Sequence, residues 1–360
     1  MGGASSLKSV LRVFVLILAL TVIWLYLDFS SEDQLLLSDE GTEVAQDETI
    51  GNQQDEESMV AEMPEEGLLT LMGSKASDIK KEFGEPERID PTLQGYEWWI
   101  YPNGNHEYIQ VGIWEGKVIS IYATGEEVDV TPFKIGQPSG EIYSSLYAET
   151  NIEIEFEGSV YRFELSEADM NMRPIIRIGD YYALLYLDKF TGTLSSVRFL
   201  NDESFVMLRP YELVYRGELF VVNDIEEEEE AAINRGMEQQ IIDITNVMRE
   251  RYNVNELSLD EQTQEVAYNH SVDMYESEAF SHTSDEYGEL SDRLKAGEVA
   301  YLSAGENIAA NYVDAPSVME GWLNSSAHRE TLLNEQFTHI GVGVHKKHFT
   351  QNFIEKWEQE

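Results

Sequence analysis

Gly321-Trp322-Leu323-Asn324-Ser325-Ser326-Ala327-His328-Arg329, leading into Ile340-Gly341-Val342-Gly343-Val344, decides how the last third of this chain is read. The second piece is a short β-branched run and reads as a strand, with another over residues 349–353. Upstream, Gly305-Glu306-Asn307-Ile308-Ala309 opens a segment of its own, and Phe280-Ser281-His282 ends a helix. That helix follows Ser258-Leu259-Asp260, where Ser or Asp can cap, and is predicted to run to about Glu278. Its core face takes Val266, Ala267, His270 and Met274. A helix over residues 237–251 precedes it, with Ile241, Ile242, Ile244, Thr245, Val247 and Met248 at helical spacing.

Together with Asn246-Val247-Met248-Arg249 and Phe349-Thr350-Gln351-Asn352-Phe353, these patches stand in the order of the CAP superfamily: cysteine-rich secretory proteins, antigen 5 and pathogenesis-related proteins. The last 120 or so residues resemble the cysteine-free bacterial form of that family. The preceding region resembles, in layout, the N-terminal CAP-associated module of related Gram-positive bacterial proteins. The resemblance implies an α-β-α sandwich with a cleft lined by two histidines and, in many members, two glutamates. By motif position His282 and His328 match the histidines and Glu306 the first glutamate. The second glutamate is expected about one turn after the family tryptophan. Ser325 stands there instead, three residues after Trp322, with Glu320 and Glu330 nearby but out of phase.

Two imidazoles and a carboxylate are good ligands for zinc or another divalent ion, and leave a position for water. The expected metal ligands are therefore His282 and His328, with Glu306 as a third candidate. The same three residues are the candidates for catalysis, because a metal-bound water can hydrolyse. Against that, H-E-x-x-H is absent, and one Glu306 cannot be both ligand and general base. A plainer reading has His282 and His328 capping helices or bonding backbone, and Glu306 capping a helix over residues 307–309. Ser281, Ser284, Ser325 and Ser326 read as turn and cap residues, since no G-x-S-x-G elbow exists. Arg249 and Arg329 are expected to hold loops to the core.

The chain has 360 residues, with 24 Lys and Arg against 68 Asp and Glu, a net charge of −44. That charge repels nucleic acid, so no nucleic-acid partner is expected. With no cysteine, disulfides and a thiolate nucleophile are excluded. Lys8 and Arg12 flank an apolar run over residues 13–27, and residues 7–27 approach a bilayer span. Basic residues before the run and acidic ones after it place the C-terminal bulk outside the membrane. No small-residue cleavage site follows, which favours an uncleaved anchor over secretion after signal cleavage.

The expected order is thus an anchor or signal segment at 1–27, an acidic disordered linker at 28–67, a β-rich α+β domain at 68–222, an acidic linker at 223–235 whose run 224–230 also reads as an exposed helix start, and the CAP-like domain at 236–360. The overall class is α+β. Within 68–222, Leu71-Met72-Gly73 with a short helix is echoed by Lys134-Ile135-Gly136 with another, each followed by strands with a Lys- or Thr-centred turn before the last, a duplicated unit. Trp98 and Trp99 read as sheet packing rather than a ligand platform. The function expected is a binding or interaction module at the cell envelope, recognising a polymer, peptide or lipid. The alternatives are a metal-assisted hydrolase of peptide or cell-wall bonds and a lipid-binding module.

Overall fold

The computed structural model describes residues 60–221 and 225–357, together with the backbone of two short strands, β1 (Leu35–Leu36) and β2 (Val44–Gln46). Among the described residues no helix is long and apolar enough to cross a membrane. The anchor expected at 7–27 lies outside them. β1 and β2 fall inside the segment read as a disordered linker. They correct that reading for five residues, because each finds an open sheet edge and pairs there in parallel.

The N-terminal domain opens with α1 (Ala76–Phe83), β3 (Arg88–Pro91), β4 (Glu97–Asn103), β5 (Glu107–Trp114) and β6 (Lys117–Thr124). It continues with α2 (Ser139–Ser145), β7 (Asn151–Phe156), β8 (Ser159–Glu164), α3 (Glu167–Met172), β9 (Ile175–Ile178), β10 (Tyr181–Asp188) and β11 (Thr193–Leu200). α4 (Asp202–Leu208) and β12 (Glu212–Arg216) complete it. Seven strands form one sheet in the order β3-β4-β5-β6-β11-β10-β9, and β2-β12-β8-β7 form a second. The duplication is visible in the backbone. Gly73 N donates to Val118 O in one unit and Gly136 N to Leu194 O in the other, at 2.9 and 2.8 Å. The two units meet where β6 pairs with β11, at the centre of the large sheet.

Alternation along β4 sends neighbouring side chains to opposite faces. Trp99 joins a core closed by α1 and α2, with Ile79 and Ile142. Trp98 and Ile100 face the other way, into a core shared with the C-terminal domain through Ile233, Met237 and Ile241. Both tryptophans are buried.

The C-terminal domain runs α5 (Glu227–Arg251), β13 (Ser258–Leu259), α6 (Glu261–Glu276), α7 (Leu290–Ala296), β14 (Ala304–Ala310), α8 (Ala315–Leu323), α9 (Ser326–Leu332), β15 (His339–His345) and β16 (His348–Ile354). α5 takes in residues 227–235, so of the two readings of the acidic run the helix start holds and the linker does not. Glu227 to Glu230 fill its first turn, where carboxylates oppose the positive end of the helix dipole, and Ala231 and Ala232 follow as strong helix formers. Residues 304–310 are a strand rather than the start of a helix. Asn307 and Ala309 pair with Gln351 and Phe349, and sheet pairing overrides local preference.

The glycines of Ile340-Gly341-Val342-Gly343-Val344 explain the layering. Ile340, Val342 and Val344 bury one face of β15 in the shared core. On the opposite face a Cβ on Gly341 would lie 2.2 Å from Gln264 N, and one on Gly343 2.1 Å from Tyr268 N. The two glycines let α6 lie directly on the sheet. Asn246, on α5, accepts from Leu257 N at 2.9 Å and donates to Leu257 O at 3.1 Å, tying the chain just before β13 to the helix. Arg249 bonds the carbonyls of Asn255, Leu332 and Asn334.

Glu238 is buried between α5, α6 and β15, accepting from Val344 N at 3.0 Å and Gln264 Nε2 at 3.3 Å. Burial lifts its carboxyl to about 7, against the pull of those two donors. A carboxyl raised in the folded state stabilises it fully below the unfolded value near 4.5. That contribution is lost as pH climbs towards 7. Glu238→Gln is therefore expected to gain on the order of 2–3 kcal/mol over wild type between about pH 5 and pH 8. Urea unfolding at the two pH values measures this, and parallel curves would contradict it.

Candidate functional site

The cleft is built from three elements of the C-terminal domain. β14 supplies Glu306 and Asn307, the loop between α6 and α7 supplies His282 and Thr283, and α9 supplies Ala327, His328 and Thr331. With Glu289 and Leu290 they enclose about 400 Å³. His282, Glu306 and His328 thus share one open depression.

Glu306 is the best-held group in it. Its side chain is 4% exposed. Oε1 meets His282 Nδ1 at 2.9 Å, and Oε2 accepts from Arg293 Nη2 at 2.6 Å. Burial alone would raise its pKa. The His282 hydrogen bond, with the charges of His270, Arg293 and His282, outweighs burial and holds it below the ordinary carboxyl value. Arg293 is itself buried and uses Nη1 to bond the carbonyls of His282 and Gly288, both at 2.9 Å. One guanidinium therefore fixes the His282 loop and neutralises the cleft carboxylate.

His328 lies on the opposite wall, its Nδ1 2.7 Å from Ser325 Oγ. Ser325 orients the imidazole from the place where a second carboxylate was expected. Asn307 Nδ2 donates to His328 O at 3.1 Å and to Gln351 Oε1 at 3.2 Å, so β14 and β16 brace the same turn. Trp322 Nε1 donates to Ile308 O at 3.2 Å, seating α8 against β14. Glu306 sits in a strand and so caps no helix over 307–309.

Of the two nearby carboxylates, Glu320 is buried and turned towards the N-terminal domain, accepting from Ser195 and Ser196. Sequence reasoning missed Arg293, since its partner Glu306 lies in a different element and nothing local marks the pairing. It also passed over His270 as an ordinary core residue. The His270 ring is fully buried, with Nε2 3.9 Å from Glu306 Oε1 and Nδ1 3.7 Å from Asp273. Burial holds its pKa below the ordinary value.

Glu306 is poorly placed to be a metal ligand. Among the described residues no three His, Asp or Glu side chains are grouped as ligands of one ion. Both oxygens of Glu306 are engaged, one of them by a guanidinium whose charge repels a cation. Glu306 is therefore held as the partner of His282 and Arg293 rather than offered as a third ligand.

This cleft, on a three-layer domain preceded by a duplicated sheet, agrees with the family models. The CAP-associated N-terminal model matches residues 72–211, and that of the cysteine-rich secretory protein family matches 242–354. The chain is also 43% identical over 352 residues to the uncharacterized membrane protein YlbC of Bacillus subtilis, covering 98% of this chain and 100% of that one. The chain belongs to the cysteine-rich secretory protein (CAP) family. A second Bacillus subtilis protein, YkwD, is 37% identical over 121 residues, which is 33% of this chain and 47% of YkwD. Among solved structures, an extracellular SCP-domain protein of Bacillus anthracis superposes with a TM-score of 0.78 at 40% identity, over 84% of this chain and 100% of that one. A cysteine-rich secretory protein of Staphylococcus aureus gives 0.73 at 28% identity, over 83% and 98%. Residues 242–354 are thus a CAP domain, joined to a CAP-associated domain that shares its core.

Proposed function

We propose that this CAP protein is a membrane-anchored binding module displayed outside the cell, whose cleft takes an uncharged, hydrogen-bonding ligand such as a peptide or glycan segment of an envelope polymer. The observation that carries the reading is the state of Glu306. Each of its oxygens already has a partner, His282 on one and Arg293 on the other, so it is presented to the cleft neither as an open metal ligand nor as a free base. The polar groups left around it are mostly imidazole, amide and hydroxyl, from His282, Asn307, His328, Thr283 and Thr331, beside the carboxylate of Glu289 and the apolar Leu290 and Ala327. Such a lining suits amides and sugar hydroxyls. The placement draws on the apolar run at 7–27 with basic residues before it, and on a near-full-length relative named a membrane protein.

The test is to titrate the purified full-length chain in detergent with soluble envelope glycan fragments, peptides and lipid vesicles, while assaying each for cleavage. Saturable binding of a glycan or peptide is expected, weakened at least about tenfold by His282→Ala with His328→Ala, a loss of about 1.4 kcal/mol. Turnover of a substrate with no retained ligand would turn the reading into a hydrolase. Binding confined to vesicles would make it a lipid module.

A further inference from the structure

We infer that the CAP-associated domain sets the position of the cleft wall that bears His328, through Glu320, Asn324 and Arg329, and that protonation of Glu320 tightens this grip. The three side chains flank the α8–α9 turn and all reach the β10–β11 hairpin of the other domain. Glu320 is 4% exposed and accepts from Ser195 Oγ at 3.0 Å and from Ser196 Oγ, both through Oε1. Its Oε2 has no hydrogen-bond partner among the described residues. Asn324 accepts from Lys189 N at 2.8 Å and donates to Leu187 O at 3.0 Å. Arg329 Nη2 lies 3.0 Å from Asp188, and its guanidinium stacks on Phe190 at 5.0 Å and Tyr252 at 4.6 Å. His328 sits between Asn324 and Arg329, so the hairpin holds the turn that carries it on both sides.

An ionised carboxylate with one oxygen unpaired is poorly accommodated in such a place, whereas the protonated acid is not. The groups facing Glu320 do not reverse this. Arg251 of α5 draws its proton off, Asp188 of β10 holds it on, and Tyr122 of β6 and Tyr186 of β10 are neutral phenols. Burial prevails and lifts the carboxyl to about 7. The grip is strongest below neutrality and slackens above it. This holds whatever ligand the cleft accepts.

Hydrogen exchange of the full-length chain in detergent tests it, read on peptides covering residues 320–332 and corrected for intrinsic exchange. Between pH 6 and pH 8.5 the opening of this segment is expected to rise about tenfold, as follows for a carboxyl that returns to its ordinary value on opening. Glu320→Gln should abolish the rise. Ser195→Ala with Ser196→Ala, which removes both donors to the ionised form, should move it to higher pH. A rise that persists in Glu320→Gln, a flat wild-type profile, or a transition unmoved by the serine changes would overturn the inference.

Discussion

Replacing Arg198 with methionine is expected to destabilise the chain by about 3–5 kcal/mol, and to do so in both domains together. Arg198 is fully buried on β11. It donates to Asp314, to Tyr96 Oη at 2.7 Å and to Ser120 Oγ at 3.3 Å, and its guanidinium lies 5.1 Å from the Trp98 ring centroid. Asp314 is the N-cap of α8, accepting from Ser317 N at 3.0 Å. Methionine fills much of the volume but leaves the Asp314 carboxylate buried without its cation, at the start of the helix that seats the cleft wall. The shared core transmits the loss, because Tyr96 and Trp98 lie in one apolar cluster with Met237, Trp322 and Val342. Urea unfolding followed by hydrogen exchange, with peptides from β5 and from β15, should show one transition shifted in both. A shift in one domain alone, or a loss under about 1 kcal/mol, would contradict a single cooperative body.

The second large effect is expected at Arg293. Arg293→Met removes the cation and its hydrogen bond from a buried carboxylate and two hydrogen bonds from the His282 loop, for a loss again of about 3–5 kcal/mol. The same change frees one oxygen of Glu306 beside His282. Zinc affinity is therefore expected to rise by at least about tenfold over wild type, worth about 1.4 kcal/mol. Calorimetric titration of both proteins with zinc, alongside their unfolding curves, checks both halves. A destabilised variant whose zinc affinity is unchanged would show that Arg293 is not what keeps a cation out.

The two halves of the chain were unequally legible. Ile340-Gly341-Val342-Gly343-Val344 and the helices before it could be read because a strand buried on both faces is a short β-branched run, and a helix buried on one face keeps a local period. His282, Glu306 and His328 could be named from their motifs. What each does could not, because the partners that decide it come from other elements. Arg293 meets Glu306 only once α7 lies against β14, and Glu320 meets Ser195 and Ser196 only across the domain boundary. Ser325 was seen as a missing carboxylate, while its hydrogen bond to His328 depended on the turn between α8 and α9. The acidic run at the start of α5 left two readings open, a linker or an exposed helix start, and at a helix N-terminus its glutamates favour the helix. β1 and β2 carried no usable signal, because two or three residues are too short for a period and owe their pairing to an open edge elsewhere.

The proposed function takes the pairing of Glu306 with Arg293 to keep that carboxylate off a metal and to leave the cleft as a recognition surface. Its most direct test is the zinc content of the full-length wild-type chain after equilibrium dialysis against micromolar zinc, compared with His282→Ala/His328→Ala. The account predicts no stoichiometric zinc that depends on the two histidines. One zinc per wild-type chain, lost in the double variant, would contradict it.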